Sequence, residues 1–155
     1  MTPIDALLFT LWFTLIHTGA YVIAGAIALR FSKAFYEGDE RLFDFVRDMG
    51  KPAESAAVTK RMLPGQLLRG VLMSVVLYPI VGFLGELSFV VRFLFFAGLM
   101  FIFTDLASAD PSPGNIEGSV YLREKYRRRG VFFRIQAEML IYSVLLGLAV
   151  SWLLF

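Results

Sequence analysis

The sequence has no cysteine, a single histidine and few charged residues, and each shortage excludes a class of protein. Without cysteine, the chain forms no disulfide, no thiolate zinc site and no cysteine nucleophile. One histidine excludes a two-histidine haem or metal site within a single chain. Charged residues make up 18% of the chain, against about 25% in an ordinary soluble domain. Together with a hydrophobic content of 57%, this low charge excludes a disordered chain and a typical soluble enzyme.

Motifs of the common catalytic sites are also missing. The chain holds no serine-histidine-acid arrangement, no glycine-rich phosphate loop and no zinc-binding HExxH motif. We therefore predict neither a cofactor nor a metal, and the sequence alone leaves open whether the protein is an enzyme.

Hydrophobic residues make up 57% of the chain and are concentrated in long runs. Residues 6–29 carry no charge, and residues 70–104 carry only Glu86 and Arg92. A spanning helix needs about 20 apolar residues, so the second run suits two helices with a turn at residues 82–88. With a last run ending at residue 155, the sequence predicts four spans, at about 6–29, 65–84, 88–107 and 132–155.

These spans predict an all-α, polytopic membrane protein, a bundle of four transmembrane helices that forms a single domain over residues 1–155. Every Lys and Arg except Arg92 lies in or beside the two segments 30–64 and 108–131. Because basic residues accumulate in cytoplasmic loops, we expect both segments to be cytoplasmic and both termini to be external. We expect a cell (inner) membrane location.

The first cytoplasmic segment shows a helical pattern of its own. Apolar residues recur at helical spacing between Phe31 and Met49, with charges on the other side, which predicts an amphipathic cytoplasmic helix over 32–49. A separate short helix is predicted over 53–63, ended by Pro64 and Gly65. Within the second span, Pro79 predicts a kink.

A stripe of polar residues follows one face of the first span. It comprises Thr10, Thr14, His17, Thr18 and Tyr21, spaced as residues that share a helix face. An ionisable group in mid-membrane is a candidate for a proton relay or a ligand contact. The alternative is that these side chains form hydrogen bonds to neighbouring helices.

Small residues repeat every fourth position on the first and last spans. They are Ala20, Ala24 and Ala28 on the first, and Gly147 and Ser151 on the last. This spacing lets helices approach closely, either within the bundle, which we favour, or across a dimer face.

An oxygen-rich segment follows the third span, with candidate residues Asp105, Asp110, Asn115 and Glu117. Such oxygens suit Mg²⁺ or Ca²⁺, and neighbouring arginines suit a phosphate, so the segment is a candidate enzyme site for a lipid headgroup. Its spacing matches no known metal loop. The alternative is a Pro/Gly turn in which Asp105 neutralises Arg69 or Arg134.

The densest charge feature is a basic run before the last span. It comprises Arg123, Lys125, Arg127, Arg128, Arg129 and Arg134. Beside a membrane such a cluster attracts anionic lipid, at about 1 kcal/mol per residue, although a signal that only fixes topology has the same composition. The run is too short, and too close to the membrane, to predict a nucleic-acid partner.

Two pairs of opposite charges are predicted to interact. Glu86 and Arg92 lie six residues apart at the hairpin, where they pair or sit in the membrane interface. Arg134 and Glu138 lie four residues apart, the spacing of an ion pair on a helix surface.

Three functions are compatible with this sequence. The leading hypothesis is a non-enzymatic accessory or assembly protein whose cytoplasmic face contacts anionic lipids or a membrane-protein partner, with homo-oligomerisation as a further option. The second is a small transporter or channel that uses the polar stripe. The third is a membrane enzyme that acts on a lipid headgroup at the 105–134 surface.

Overall fold

A computed structural model describes residues 2–155 and contains four helices long and apolar enough to cross a membrane. This confirms the predicted all-α, four-helix fold of a multi-pass integral membrane protein, and the described residues contain no β-strand. The helices in chain order are α1 (Pro3–Tyr36), α2 (Pro52–Leu77), α3 (Val81–Glu86), α4 (Phe89–Gly98), α5 (Ile116–Tyr121) and α6 (Arg129–Leu153).

Helices α1 and α2 form a long antiparallel pair. Thr2 begins α1 with a capping box, in which its hydroxyl accepts the Asp5 amide while the Asp5 carboxylate accepts the Thr2 amide. The two helices touch most closely where Gly70 meets Thr14, because a Cβ at residue 70 would lie only 2.9 Å from the Thr14 Cα. Gly70 is therefore the residue that permits this crossing.

The predicted amphipathic helix over 32–49 is wrong beyond Tyr36, where α1 ends. Residues 37–51 form turns instead, and Gly38 there has a φ of 92°, which favours glycine. The Asp48 carboxylate accepts the backbone amides of Gly38 (3.0 Å) and Gly50 (2.9 Å), so one buried side chain holds both ends of this loop. Phe35 and Phe43 are buried in this region, whereas Phe45 is 63% exposed, so the apolar residues do not form one buried helix face.

The predicted short helix over 53–63 is part of α2, which begins at Pro52 and continues through Pro64. Proline at the first helical position has no amide to leave unbonded, which suits Pro52 to that start. At Pro79, where a kink is predicted, the α-helix is interrupted by a 3₁₀ turn over Tyr78–Ile80, after which α3 runs to Glu86. The hairpin turn then lies at residues 87–88, and the Ser88 hydroxyl accepts an amide of α4.

Helix α1 packs against α2 on one side and α6 on the other, while α6 also packs against α4. The small residues predicted to allow close packing are buried inside the bundle, namely Ala20, Ala24, Ala28, Gly147 and Ser151. A Cβ at Gly147 would lie 3.1 Å from Ala97 of α4. After Gly98, helix α4 continues as a π-helical segment over Leu99–Leu106.

A second apolar cluster joins the loops at one end of the bundle. Phe35 and Phe43 pack there with Tyr126, Val131 and Ile135. We call this end, which carries residues 37–51 and 107–128, the basic end. The loops at the basic end form a folded layer on the helices, and this layer positions the basic run.

Candidate functional site

The single histidine is the centre of a polar junction inside the bundle. His17 is fully buried, with its Nε2 3.1 Å from Oε1 of Gln66 on α2 and its Nδ1 2.7 Å from the hydroxyl of Tyr142 on α6. An amide oxygen only accepts hydrogen bonds, so Nε2–H donates to Gln66, and in the neutral ring Nδ1 accepts from Tyr142. His17 therefore joins three helices.

The predicted polar stripe faces the bundle interior. Thr14, His17 and Thr18 are buried, and Thr10 and Tyr21 are half-buried. Thr10 contacts the hydroxyls of Tyr78 and Ser74, whereas the hydroxyls of Thr14 and Thr18 have no hydrogen-bond partner among the described residues. Part of the stripe thus forms interhelical hydrogen bonds, and part of it presents free hydroxyls in the interior.

Sequence reasoning missed the partners of His17. Gln66, Tyr142 and Met100 complete the junction, and the Met100 sulfur lies 3.6 Å from the Tyr142 hydroxyl. Met100 belongs to the π-helical segment, a conformation found often at functional sites. The one sequence signal for these partners is the polar spacing of Glu138 and Tyr142 on an otherwise apolar span.

The structure does not gather the oxygen-rich segment into one site. Asp105 is buried, and its carboxylate accepts a hydrogen bond from Gln136 Nε2 at 3.1 Å. Asp105 forms no ion pair with Arg69 or Arg134, so the predicted neutralisation is wrong. The backbone oxygen of Gly114 accepts from the same Gln136 amide at 2.8 Å, which ties the following turn to α6.

The other members of this segment have structural or solvent-facing positions. Asn115 is buried and caps α5, because its Oδ1 accepts the amides of Gly118 and Ser112. Asp110 is exposed and Glu117 is half-buried. No group of three or more histidine and acidic side chains within residues 2–155 is arranged to hold a metal ion.

The basic run lines a groove at the basic end. Lys125, Arg127 and Arg128, with Glu124, line a cavity of about 500 Å³. Arg127 also lines a neighbouring cavity of about 150 Å³ that contains Tyr126 and Phe132. Arg127 therefore lies between a charged depression and one whose walls include the rings of Tyr126 and Phe132.

The remaining members of the basic run lie outside this groove. Arg123, Arg129 and Arg134 are all exposed. The Arg134 guanidinium lies 5.3 Å from the ring centroid of Phe35, a cation–π contact, and it forms no ion pair with Glu138 as the spacing predicted.

Lys125 and its neighbour Tyr126 fasten the basic run to the loop that follows α1. The Lys125 ammonium lies 2.7 Å from the Asp44 carboxylate, which also accepts the Tyr126 hydroxyl. These hydrogen bonds, first from Lys125 and then from Tyr126, lower the pKa of Asp44 to about 2. The same contact with Asp44 raises the pKa of Lys125. The run is therefore anchored at one point, and Arg127 and Arg128 form no ion pair with any residue between 2 and 155.

Arg92 does not pair with Glu86, which is exposed. Arg92 is buried, and its guanidinium donates to the backbone oxygens of Leu84, Gly85 and Ser151 at 3.3–3.4 Å. These carbonyls lie at the ends of α3 and α6, where the helix dipole favours a cation. The hypothesis of an Arg92–Glu86 pair is wrong, and Arg92 instead binds the ends of two helices.

The chain matches no protein-family model, no curated protein and no solved structure.

Proposed function

We propose that this protein is a non-enzymatic accessory or assembly protein of the cell membrane whose basic end faces the cytoplasm and binds an anionic lipid headgroup. The observation that carries the proposal is the groove of Lys125, Arg127 and Arg128. Both termini are then external, in keeping with the positive-inside rule. A membrane-protein partner that presents a phosphate or carboxylate is the other candidate occupant of this groove.

The charges around the groove favour a multiply charged anion. Arg127 and Arg128 have no carboxylate partner within ion-pair distance among the described residues, whereas Lys125 is held by Asp44. The first amides of α6 follow directly, and no side chain caps them. An arginine guanidinium binds a phosphate through two parallel hydrogen bonds. The positive end of the helix dipole at an N-terminus also attracts an anion.

Apolar side chains beside the groove suit the acyl part of a lipid. Phe132 lines the smaller cavity beside Arg127, and Phe133 is 66% exposed on the next position of α6. Val120 and Tyr121 of the short helix α5 are also exposed. A surface that combines basic and large apolar side chains is typical of contact with the headgroup and acyl boundary of a bilayer.

The enzyme hypothesis has less support from the geometry. Asp105 is bonded to Gln136 and Asn115 caps α5, so neither is free to act on a headgroup. The carboxylates of Asp110 and Glu117 form no ion pair with a basic residue in the described part of the chain, so nothing there holds them at the groove.

Native mass spectrometry of the purified protein tests this proposal. The protein in detergent is offered equal amounts of phosphatidylglycerol and phosphatidylcholine, and the bound lipid is counted. We expect preferential retention of phosphatidylglycerol, and a loss of that preference in the double variant Arg127→Ala/Arg128→Ala. Removing two basic contacts of about 1 kcal/mol each predicts about a thirtyfold weaker interaction.

The control variant is Lys60→Ala/Arg61→Ala, which removes two exposed basic residues from α2 outside the groove. It should retain the preference of the wild type. Equal loss in both double variants would show that net charge alone attracts the lipid. No preference in the wild type would exclude a lipid site and leave the basic run as a topology signal.

A further inference from the structure

The larger cavity of the groove is formed by one short turn and the start of α6. The turn is a 3₁₀ helix over Glu124–Tyr126, in which the Arg127 amide donates to the Glu124 backbone oxygen at 3.0 Å. Three residues complete one turn of a 3₁₀ helix, so side chains three residues apart lie on the same side. Glu124 and Arg127 therefore share one side of the turn, and both line the cavity.

Tyr126 fixes this turn to the folded layer at the basic end. Its side chain is buried, and its ring centroid lies 6.3 Å from that of Phe43 and 5.4 Å from that of Phe45. Its hydroxyl donates to the Asp44 carboxylate. Because the backbone of the turn is held by these contacts, the groove exists before a ligand arrives, which lowers the entropic cost of binding.

Glu124 places one carboxylate among the basic residues of the groove. It is exposed, and it forms no ion pair with any residue between 2 and 155, although Arg127 and Arg128 line the same cavity. Lys125 is held by Asp44 instead. The groove therefore offers two unpaired guanidinium groups and one unpaired carboxylate to the same ligand.

The volume of the cavity suits a complete headgroup. At about 500 Å³ it lies in the range of small-molecule sites, which is about 300–1,000 Å³. The neighbouring cavity, which shares Arg127, contains the ring of Phe132, and Phe133 is exposed beside it on α6. Large apolar side chains next to the charged cavity favour a ligand with acyl chains over a soluble molecule.

We propose that the groove binds an anionic aminophospholipid, whose headgroup combines a phosphate, a second negative group and a primary ammonium, as phosphatidylserine does. Arg127 and Arg128 bind the two negative groups, and Glu124 accepts hydrogen bonds from the ammonium. A carboxylate only accepts hydrogen bonds and an ammonium only donates them, so the two are complementary. The inference rests on the proposed lipid site and adds the chemistry of its headgroup.

Glu124 also discriminates against other anionic headgroups. A headgroup without an amine, such as that of phosphatidylglycerol, places its phosphate near the Glu124 carboxylate and offers that carboxylate no cation. Like charges brought together without compensation weaken the binding of the wrong ligand, which is a general source of specificity. Glu124 is thus the residue expected to determine which anionic lipid the groove prefers.

Competition between two lipids of equal net charge tests the role of Glu124. The protein in detergent is offered equal amounts of phosphatidylserine and phosphatidylglycerol, and native mass spectrometry counts the bound lipid. We expect about fivefold more phosphatidylserine on the wild type, the upper range for one exposed ion pair. Glu124→Gln should lose this preference and retain phosphatidylglycerol at least as well as the wild type. The control Glu40→Gln makes the same change in net charge at an exposed acid outside the groove and should keep the preference.

A series of lipids offered to the unchanged protein tests the ammonium alone. Phosphatidylethanolamine, its N-methyl and N,N-dimethyl forms and phosphatidylcholine have the same net charge, but the headgroup nitrogen loses one N–H with each methyl group. We expect retention to fall along this series in the wild type and to be level in Glu124→Gln. Level retention in the wild type would contradict an ammonium contact.

The outcomes separate this inference from the proposed lipid site. Equal retention of phosphatidylserine and phosphatidylglycerol by the wild type would overturn the inference, while a preference of phosphatidylglycerol over phosphatidylcholine would leave the lipid site in place. A phosphatidylserine preference that persists in Glu124→Gln would also overturn it, because the selection would then come from other residues. Displacement of phosphatidylserine by an equal concentration of soluble O-phosphoserine would show that acyl chains contribute nothing, and would overturn the assignment of a lipid.

Discussion

The Nδ1 of His17 lies 2.7 Å from the hydroxyl of Tyr142, and this contact joins α1 to α6 at the centre of the bundle. Both side chains are buried, so each provides the hydrogen bond that water would otherwise provide to the other. The contact supports the packing of the bundle, because losing it would leave an imidazole nitrogen unbonded in an apolar interior.

We expect Tyr142→Phe to destabilise the protein by about 1–3 kcal/mol, the cost of one buried polar group left without its partner. Unfolding by SDS in mixed micelles measures this. Tyr121→Phe, which changes an exposed tyrosine of α5, is the matched control and should leave stability unchanged. Equal stability of Tyr142→Phe and the wild type would mean that the hydrogen bond contributes nothing.

Gly70→Ala should disturb the crossing of α1 and α2. The added methyl would lie 2.9 Å from the Thr14 Cα, so the helices would have to separate. We expect this to lower the free energy of unfolding by about 1–3 kcal/mol. Gly19→Ala places a methyl in open space on α1 and should be neutral or stabilising, because alanine favours the helix. The same SDS titration measures both. A Gly70→Ala variant as stable as Gly19→Ala would show that the helices do not approach as described.

Replacing Arg92 should loosen the end of the bundle opposite the basic end. Arg92→Met keeps much of the side-chain volume but removes three hydrogen bonds to carbonyls at the ends of α3 and α6. Hydrogen bonds to a charged group contribute about 1.5–3 kcal/mol each, so losing all three should lower the free energy of unfolding by about 4.5 kcal/mol or more. Glu86→Gln should have no effect, since Glu86 is exposed and not a partner. Equal losses of stability in Arg92→Met and Glu86→Gln would instead support an ion pair between Arg92 and Glu86.

The contact between Asp44, Lys125 and Tyr126 should make the folded layer at the basic end sensitive to acid. The pKa of Asp44 falls from its ordinary 3.8 to about 2, so its stabilisation is complete above about pH 4 and is lost as the pH falls toward 2. The pKa of Asp48 is lowered in the same direction by the amides of Gly38 and Gly50. For Lys125, whose pKa is raised, the stabilisation is lost only as the pH rises past its ordinary 10.5.

Hydrogen exchange of residues 37–51 between pH 5 and 2, corrected for intrinsic rates, measures this loss. Asp44→Asn should already exchange faster at pH 5 than the wild type and respond less to acid. The control Glu40→Gln changes an exposed acid in the same loop and should follow the wild type. Identical pH profiles for Asp44→Asn and the wild type would show that this contact does not hold the loop.

The four spans are predictable from the sequence because bilayer thickness sets the length of an apolar run. The loop over 37–51 is not predictable in this way, because the spacing of its apolar residues is also the spacing of an amphipathic helix. What decides against the helix is Gly38 with a positive φ and a buried Asp48 that gathers backbone amides. Neither feature can be recognised from the spacing of apolar residues along the sequence.

The orientation of the polar stripe toward the interior follows from its spacing on α1. The partners of His17 do not follow from spacing, because Gln66 and Tyr142 lie on other helices and contact His17 only in the packed bundle. Arg92 illustrates the same limit. Spacing suggested a carboxylate partner, but the fold places helix-end carbonyls around the guanidinium.

The proposed lipid site rests on the basic end facing the cytoplasm, and cysteine labelling measures this orientation directly on a chain without native cysteine. Glu86→Cys and Ser119→Cys place single thiols at exposed positions of the two ends. In intact cells, a membrane-impermeant maleimide should label position 86 at once, and position 119 only after the cells are opened. Labelling of position 119 and not of position 86 in intact cells would contradict this orientation.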